Sequence, residues 1–358
     1  MKQKAHGGDV YSASLLTGIP VGNIIDFSAS INPLGASTMA MKAAYGSMAN
    51  IRNYPPPYAD RLSCQIAEQF GATHPAQVIA GNGSTELIYL LPRALKPGSV
   101  LIHEPAFSEY ARAAMLAGAK VHRTVGLSFD FDRFVRAMRS LGPDMAFICN
   151  PNNPTGQLLD EEIVEKLAHE AKKARCHLVV DEAFIDFCPG RSLAERAAKG
   201  KNPWLIILRS MTKFHALTGF RMGYAVFGSA QTAKKVLGCK EPWSINIPAM
   251  EAAAAALDDA AHGEKTLSLI ERERTYIAGQ LNEAGAWHLP TAANFFLIKI
   301  AQADGLVKQL FEKGILIRDC SNFRGLGKGY IRFAIKKRKE NRILLSAIRG
   351  YSKQVSTL

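Results

Sequence analysis

The stretch RSMTKFHALTGFRMGYAVF, residues 209–227, follows one apolar run, Leu205 to Leu208, and closes on another, Tyr224 to Phe227. Both runs are short and bounded by polar or small residues, as buried strands are. Ser210, Thr212, Lys213 and Arg221 lie between them. A cation placed between two buried strands loses its hydration, so it needs a partner or a task. The reading of the chain turns on what that task is.

The same rhythm extends outward. Val78 to Ala80, Val100 to Ile102, Met145 to Cys149 and Leu178 to Val180 are further short apolar runs, and helical patterns such as Leu159 to Ala174 lie between several of them. Alternating strand and helix predicts an α/β domain with a mostly parallel sheet. After Pro248 an Ala-rich and then charged helical stretch runs to about Ala284, with a break expected near Gly263. Shorter strands follow in NFFLIKI (294–300) and GYIRFAI (329–335). This predicts a large domain over 45–245. A smaller α+β domain is built from 246–358 together with the N-terminal segment 1–44.

Composition narrows the function classes. The chain has 358 residues, of which 47% are hydrophobic, enough for a large core. No apolar run is long enough to span a membrane, and the start, MKQKAHGGDVYS, lacks the apolar core of a secretory signal. The six cysteines include no CxxC pair, which suits free thiols in a reducing cytoplasm and predicts no metal site. The net charge of +13 raises the question of nucleic acid, but its one dense run, Lys336 to Lys339, comes with no nucleic-acid-binding motif. A solvated basic face is the plainer reading and attraction of anionic substrates a third, which composition does not separate; neither nucleic acid nor membrane is expected as a partner.

In open α/β sheets ligands bind beyond the carboxyl ends of the strands. The first run delivers GNGSTE (81–86), where Ser84 and Thr85 open a helix. Free N–H groups and hydroxyls there suit a phosphate, although Ser and Thr also serve as ordinary caps. Met145 to Cys149 delivers NPNNPTG (150–156), a rigid turn able to present the amide of Asn153. Leu178 to Val180 delivers Asp181, and Leu205 to Leu208 delivers Ser210, Thr212 and Lys213. Together these groups match pyridoxal 5'-phosphate. That cofactor needs a lysine amine for its aldehyde, a carboxylate for its ring nitrogen, a phosphate cup and a donor to its ring oxygen. Lys213 is the amine and Asp181 the carboxylate. Ser84, Thr85, Ser210 and Arg221 form the cup, Thr212 is a further cofactor-binding residue, Asn153 is the donor, and Phe107 in EPAFSEY (104–110) covers the ring.

The chain resembles fold-type-I pyridoxal-phosphate enzymes of the histidinol-phosphate aminotransferase branch, and within it the threonine-phosphate decarboxylases of cobalamin biosynthesis. HGGDVYSAS (6–14), IDFSASINPLG (25–35), VVDEAFIDF (179–187) and GILIRDCSNFRGL (314–326) carry the likeness. The resemblance implies a homodimer with shared active sites, in which Tyr54 of NYPPPY (53–58) reaches the partner's cofactor phosphate. It implies a small phosphorylated amino acid as substrate, held by Arg332 and Arg318, with Asn32, Asn153 and His6 at the same site. The chain departs from the aminotransferase pattern in having Phe184 where a Tyr is usual, and Pro56 where an acidic residue is usual.

The activity this implies is decarboxylation of L-threonine O-3-phosphate to (R)-1-amino-2-propanol O-2-phosphate, with L-serine O-phosphate as an alternative substrate. The rival is transamination of histidinol phosphate or an aromatic amino acid. Both reactions start from the same bound substrate and differ in which bond stands perpendicular to the cofactor ring, so anchoring geometry decides between them.

Overall fold

The computed structural model describes residues 6–356. Residues 1–5, part of the start read above against a secretory signal, lie outside them. Eight strands precede the long helices of the C-terminal half: β1 (Ile25–Asp26), β2 (Val78–Asn82), β3 (Ser99–Glu104), β4 (Lys120–Val125), β5 (Met145–Cys149), β6 (His177–Asp181), β7 (Leu205–Ser210) and β8 (Met222–Phe227). Four follow: β9 (Phe295–Lys299), β10 (Ile315–Leu316), β11 (Arg318–Asp319) and β12 (Tyr330–Ala334).

Seven strands form one sheet in the order β2-β8-β7-β6-β5-β3-β4. The pairings from β7 through β4 are parallel, and β8 alone runs against its neighbours. Successive residues of each strand feed two different cores. Ile148, Val180 and Ile207 face one, while Phe147, Val179 and Leu208 face the other. Both faces are therefore covered, which is why these strands read as continuous apolar runs rather than as alternation. The first core takes in Ala40 and Ala44 from one helix, Thr38–Ser47, and Ala249, Ala252 and Ala253 from another, Ile247–Leu257. Small side chains at these positions let the two helices lie close together against the sheet.

The second sheet has the order β11-β12-β9, all antiparallel. Its core contains Phe295, Phe296, Ile331 and Phe333, and also Phe27, which follows β1, and Phe184 and Phe214, which follow the large sheet's β6 and β7. Nearby, β1 pairs in parallel with β10. The N-terminal segment is thus stitched to the C-terminal part of the chain.

Two sequence expectations change. The helical stretch before Ala284 breaks at Asp258 and Asp259, not at Gly263. Asp259 caps the helix Ala260–Glu283 by accepting the His262 N–H at 3.1 Å, and Gly263 lies inside it. The expected strand list also lacked β4. That edge strand reads KVHRTV, too polar to register as an apolar run. Among the described residues no helix is long and apolar enough to cross a membrane.

One close approach ties the sheet to the helix Gly83–Leu95. Gly223 of β8 pairs with Gly81 of β2 and Ser210 of β7. A Cβ on Gly223 would fall 2.4 Å from the Ser84 backbone N and 2.8 Å from the Arg209 carbonyl oxygen. These are backbone atoms of the helix and of β7 and cannot swing aside. Gly223→Ala is therefore expected to lower unfolding free energy by roughly 1–3 kcal/mol, the usual cost of overpacking. Denaturant unfolding followed by far-UV circular dichroism measures it.

Candidate active site

The order of the large sheet reverses between β3 and β5, since the chain runs from β3 out to β4 and then returns to the other side of β3. Parallel strands whose connections leave in opposite directions open a crevice at their carboxyl ends. Asp181 ends β6 and Ser210 ends β7, while Phe107 and Asn153 follow β3 and β5 closely.

Asp181 is buried, 3% exposed. Its Oδ2 accepts from Tyr110 Oη at 2.5 Å and its Oδ1 from the Ala183 N–H at 3.0 Å. Burial pushes its pKa up, against the hydrogen bonds from Tyr110 and Ala183 and the charge of Lys213. A desolvated carboxylate of this kind gains most from a cationic partner. Tyr110 itself is held by stacking on Phe147, ring centroids 5.1 Å apart, and by an edge contact with Phe107 at 5.7 Å. Sequence reasoning missed Tyr110. Its signal was available: it closes the same EPAFSEY segment as Phe107, in the first turn of the helix Glu109–Leu116 that follows β3.

Burial lowers the Lys213 pKa to about 8, helped by the positive charges of Arg332 and Arg221 and opposed by Asp181 and Asp26. The turn that carries it is braced from below by Asn32. The Asn32 N–H donates to the Lys213 carbonyl at 3.0 Å. The Asn32 amide donates to the Phe214 carbonyl and Thr266 Oγ1, both at 2.8 Å, and accepts the Leu34 N–H at 2.9 Å. The structure thus places Asn32 under the Lys213 turn.

Arg332 and Arg318 face each other as a cross-strand pair of β12 and β11. Arg332 is buried, and burial lowers its pKa to about 10. Its Nη1 donates to Asn153 Oδ1 and its Nη2 to the Ser28 carbonyl at 3.0 Å, partners that orient the guanidinium without neutralising it. Its face lies over Phe295, 5.0 Å from the centroid. Arg318 is equally buried, with Nη2 on Asn322 Oδ1 at 2.8 Å and its plane over Phe323. Two desolvated guanidinium groups side by side make a strongly anion-seeking surface. A cleft of about 1800 Å³ opens beside Arg318 and is lined also by His6 and Ser28, but not by Lys213 or Asp181. His6 Nε2 meets Glu109 Oε1 at 2.9 Å and its ring lies 5.6 Å from that of Phe107.

The residues expected to form a phosphate cup come together around Gly83. Gly83 opens the helix at φ +75°, and a Cβ there would lie 2.6 Å from Arg221 Nη2. The guanidinium therefore stands against the first helical turn, next to Ser84 and Thr85. Arg221 also has positive φ, 61°. Ser210 and Thr212 are buried with their hydroxyl oxygens 2.8 Å apart, and Ser210 pairs with Gly223, whose Cα abuts the Ser84 N–H. Tyr54 stands apart. It is 84% exposed and touches Trp243, ring centroids 5.6 Å apart.

This arrangement meets the requirements of pyridoxal phosphate on its own geometry. A half-buried lysine whose desolvated amine has a lowered pKa, a buried carboxylate, and a helix start with an arginine pressed against a side-chain-free glycine lie at adjoining strand ends. Among the described residues no group of three or more His, Cys, Asp or Glu could hold a metal ion.

The chain matches the family described as aminotransferase class I and II over residues 22–348. It is 34% identical over 352 residues to threonine-phosphate decarboxylase of Salmonella typhimurium, covering 97% of this chain and 96% of that one. It is also 34% identical, over 333 residues, to a histidinol-phosphate aminotransferase of Archaeoglobus fulgidus, covering 92% and 94%. The solved histidinol-phosphate aminotransferase of Clostridium acetobutylicum superposes with a TM-score of 0.85 at 30% identity, covering 92% of this chain and all of that one. The chain belongs to the class I and II aminotransferase family, has its fold-type-I architecture, and takes pyridoxal 5'-phosphate as its cofactor.

Proposed function

We propose that this enzyme decarboxylates L-threonine O-3-phosphate to (R)-1-amino-2-propanol O-2-phosphate, a product suited to cobalamin biosynthesis. The observation that carries the choice of substrate class is the buried cross-strand pair Arg318–Arg332, of which Arg332 acts on Lys213, giving two guanidinium groups for a substrate with two anionic ends. Near-complete coverage of the Salmonella relative supports decarboxylation. Transamination of histidinol phosphate or an aromatic amino acid is the second reading, favoured by equal identity to the Archaeoglobus enzyme.

When bound, the cofactor supplies an aldehyde for the substrate amine and a ring that withdraws electrons from the bond being broken. The Asp181 carboxylate, tied to Tyr110, keeps a proton on the ring nitrogen. Arg332, its fork fixed by Asn153 and Ser28, holds the substrate carboxylate, and Arg318 holds the second anionic group. Carbon dioxide leaves with the electron pair left behind, and Lys213 Nζ gives a proton to the carbon that lost it. One proton is taken up for each carbon dioxide released. In the transamination reading Lys213 Nζ instead takes the proton from the same carbon.

We propose in addition that two copies associate through the face that carries Tyr54. Tyr45, Ile51, Tyr54 and Trp243 are 70%, 66%, 84% and 51% exposed, more large apolar surface than a lone molecule leaves to water without cost.

Mixing the holoenzyme with L-threonine O-3-phosphate and no keto acid separates the two reactions. Catalytic carbon dioxide release with an unchanged cofactor spectrum is expected. Conversion of the cofactor to its amine form without carbon dioxide would establish transamination instead. Lys213→Ala is expected to abolish turnover and the yellow lysine-linked chromophore together.

The pH dependence of reconstitution follows from Lys213. Only the neutral amine attacks an aldehyde, so the rate at which apoenzyme takes up cofactor should rise with pH through about 8 rather than near the ordinary lysine value. Arg332→Gln removes a positive neighbour and should move that midpoint upward. Stopped-flow absorbance across a pH series reads both.

Light scattering is expected to give a dimer. Tyr54→Phe should then weaken cofactor binding about fivefold through loss of one hydrogen bond across the interface, with the dimer intact. A monomer in solution would remove this proposal.

A further inference from the structure

The helix start that faces Arg221 also carries an acid. Glu86 lies in the first turns of the helix Gly83–Leu95, where a free carboxylate would compete with and repel a bound phosphate. Instead it is locked. Glu86 Oε2 accepts the Asn82 N–H at 2.5 Å, and Oε1 accepts from Lys240 Nζ at 2.6 Å. Ser244 closes the cluster. Its Oγ accepts from Lys240 Nζ at 2.5 Å and donates to Glu86 Oε2 at 3.3 Å. The Lys240 side chain is 1% exposed, so this ammonium has left water almost entirely for the sake of one carboxylate. The same segment is tied to the helix a second time by Arg93, which pairs with Glu241 at 2.9 Å.

We infer that Lys240 and Ser244 are positioning residues for the cofactor phosphate, acting through Glu86. They hold the Glu86 carboxylate on the Asn82 N–H and neutralise it there. The N–H groups of Gly83, Ser84 and Thr85, unpaired in any first helical turn, are then left for the phosphate, with Arg221 opposite. This rests on the reading that the phosphate seats at that turn. Lys240 does not itself reach for the phosphate, because its charge is spent on Glu86.

The test uses purified apoenzyme titrated with pyridoxal phosphate and, separately, with pyridoxal, which lacks the phosphate. Binding is read by cofactor absorbance and tryptophan fluorescence. Lys240→Met leaves the Glu86 charge uncompensated beside the phosphate, an interaction worth about tenfold or more in a partly dry site. The expected result is about a tenfold or greater loss for pyridoxal phosphate, with pyridoxal changed less than about twofold. The double variant Glu86→Gln/Lys240→Met removes the repelling charge as well and should recover pyridoxal phosphate binding to within about threefold of the parent. A purely structural defect, the Glu86 carboxylate left unpaired, would also be relieved by the double variant, but it would not spare pyridoxal. Equal losses for both ligands, no loss in Lys240→Met, or no recovery in the double variant would each overturn the inference. Arg221→Ala separates it from the reading beneath it. If that variant binds pyridoxal phosphate and pyridoxal in the parent ratio, the phosphate cup is elsewhere and both fall. If the ratio collapses while Lys240→Met leaves it alone, only the role of Lys240 falls.

Discussion

Burying the Lys213 amine beside the guanidinium groups of Arg332 and Arg221 disfavours its charged form. The arrangement is stable only because carboxylates oppose it. Asp181 stands at the end of the neighbouring strand, and Asp26 approaches from the N-terminal segment. Each is committed in turn. Asp181 is fixed by Tyr110 and the Ala183 N–H, while Asp26 accepts from the Ser28 N–H and hydroxyl at 2.8 and 2.6 Å. Charges held in this way cannot relax by moving, so the field at Lys213 Nζ is built into the fold before any ligand arrives. That is the condition under which electrostatics aids a reaction without a reorganisation cost at the moment it occurs.

The topology makes this field reproducible. Parallel strands β5, β6 and β7 deliver their last residues to one edge, and the antiparallel β8 returns the chain so that Arg221 comes back to the first turn after β2. A glycine at 83 is needed for both its positive φ and the missing side chain that Arg221 would otherwise strike. The second sheet then contributes Arg318 and Arg332 from across the crevice on strands in register. Its apolar core includes Phe184 and Phe214, which flank Asp181 and Lys213 in sequence, so the two sheets share packing at the site itself.

What the sequence made legible follows physical lines. Fully buried strands were visible as apolar runs, and the polar residues at their ends stood out because several strands deliver complementary groups, an amine, a carboxylate, hydroxyls and an arginine, that caps and turns alone do not require. Lys213, Asp181, Ser210, Thr212, Asn153 and Arg221 were readable in that way. The edge strand β4 was hidden by its half-exposed, charged side chains, and the break between two long helices was hidden because an aspartate cap is a weaker mark than a glycine. Tyr110 was obscured by its helix, where an aromatic reads as core, and indeed it is core on one side through Phe147. The contacts of Asn32 and the lock on Glu86 join residues separated by more than 150 positions. No local pattern records pairs of that kind.

The departure at Phe184 bears on Asn153. Phe184 packs its ring against Phe295 at 5.0 Å in an edge contact and has no hydroxyl to offer. Asn153 is therefore left as the expected donor to an acceptor on the ring of the cofactor. Its orientation is set by Arg332. A guanidinium only donates, so the atom facing it must be the amide oxygen, and the NH2 group is turned the other way. The same arginine that would hold the substrate carboxylate thus fixes which end of Asn153 a ligand meets. Moving Arg332 to accommodate a different substrate would disturb the ring-oxygen donor as well. With no hydroxyl at 184 to take over that hydrogen bond, a change at Arg332 would bear on Asn153 and, through it, on the donor a ligand meets.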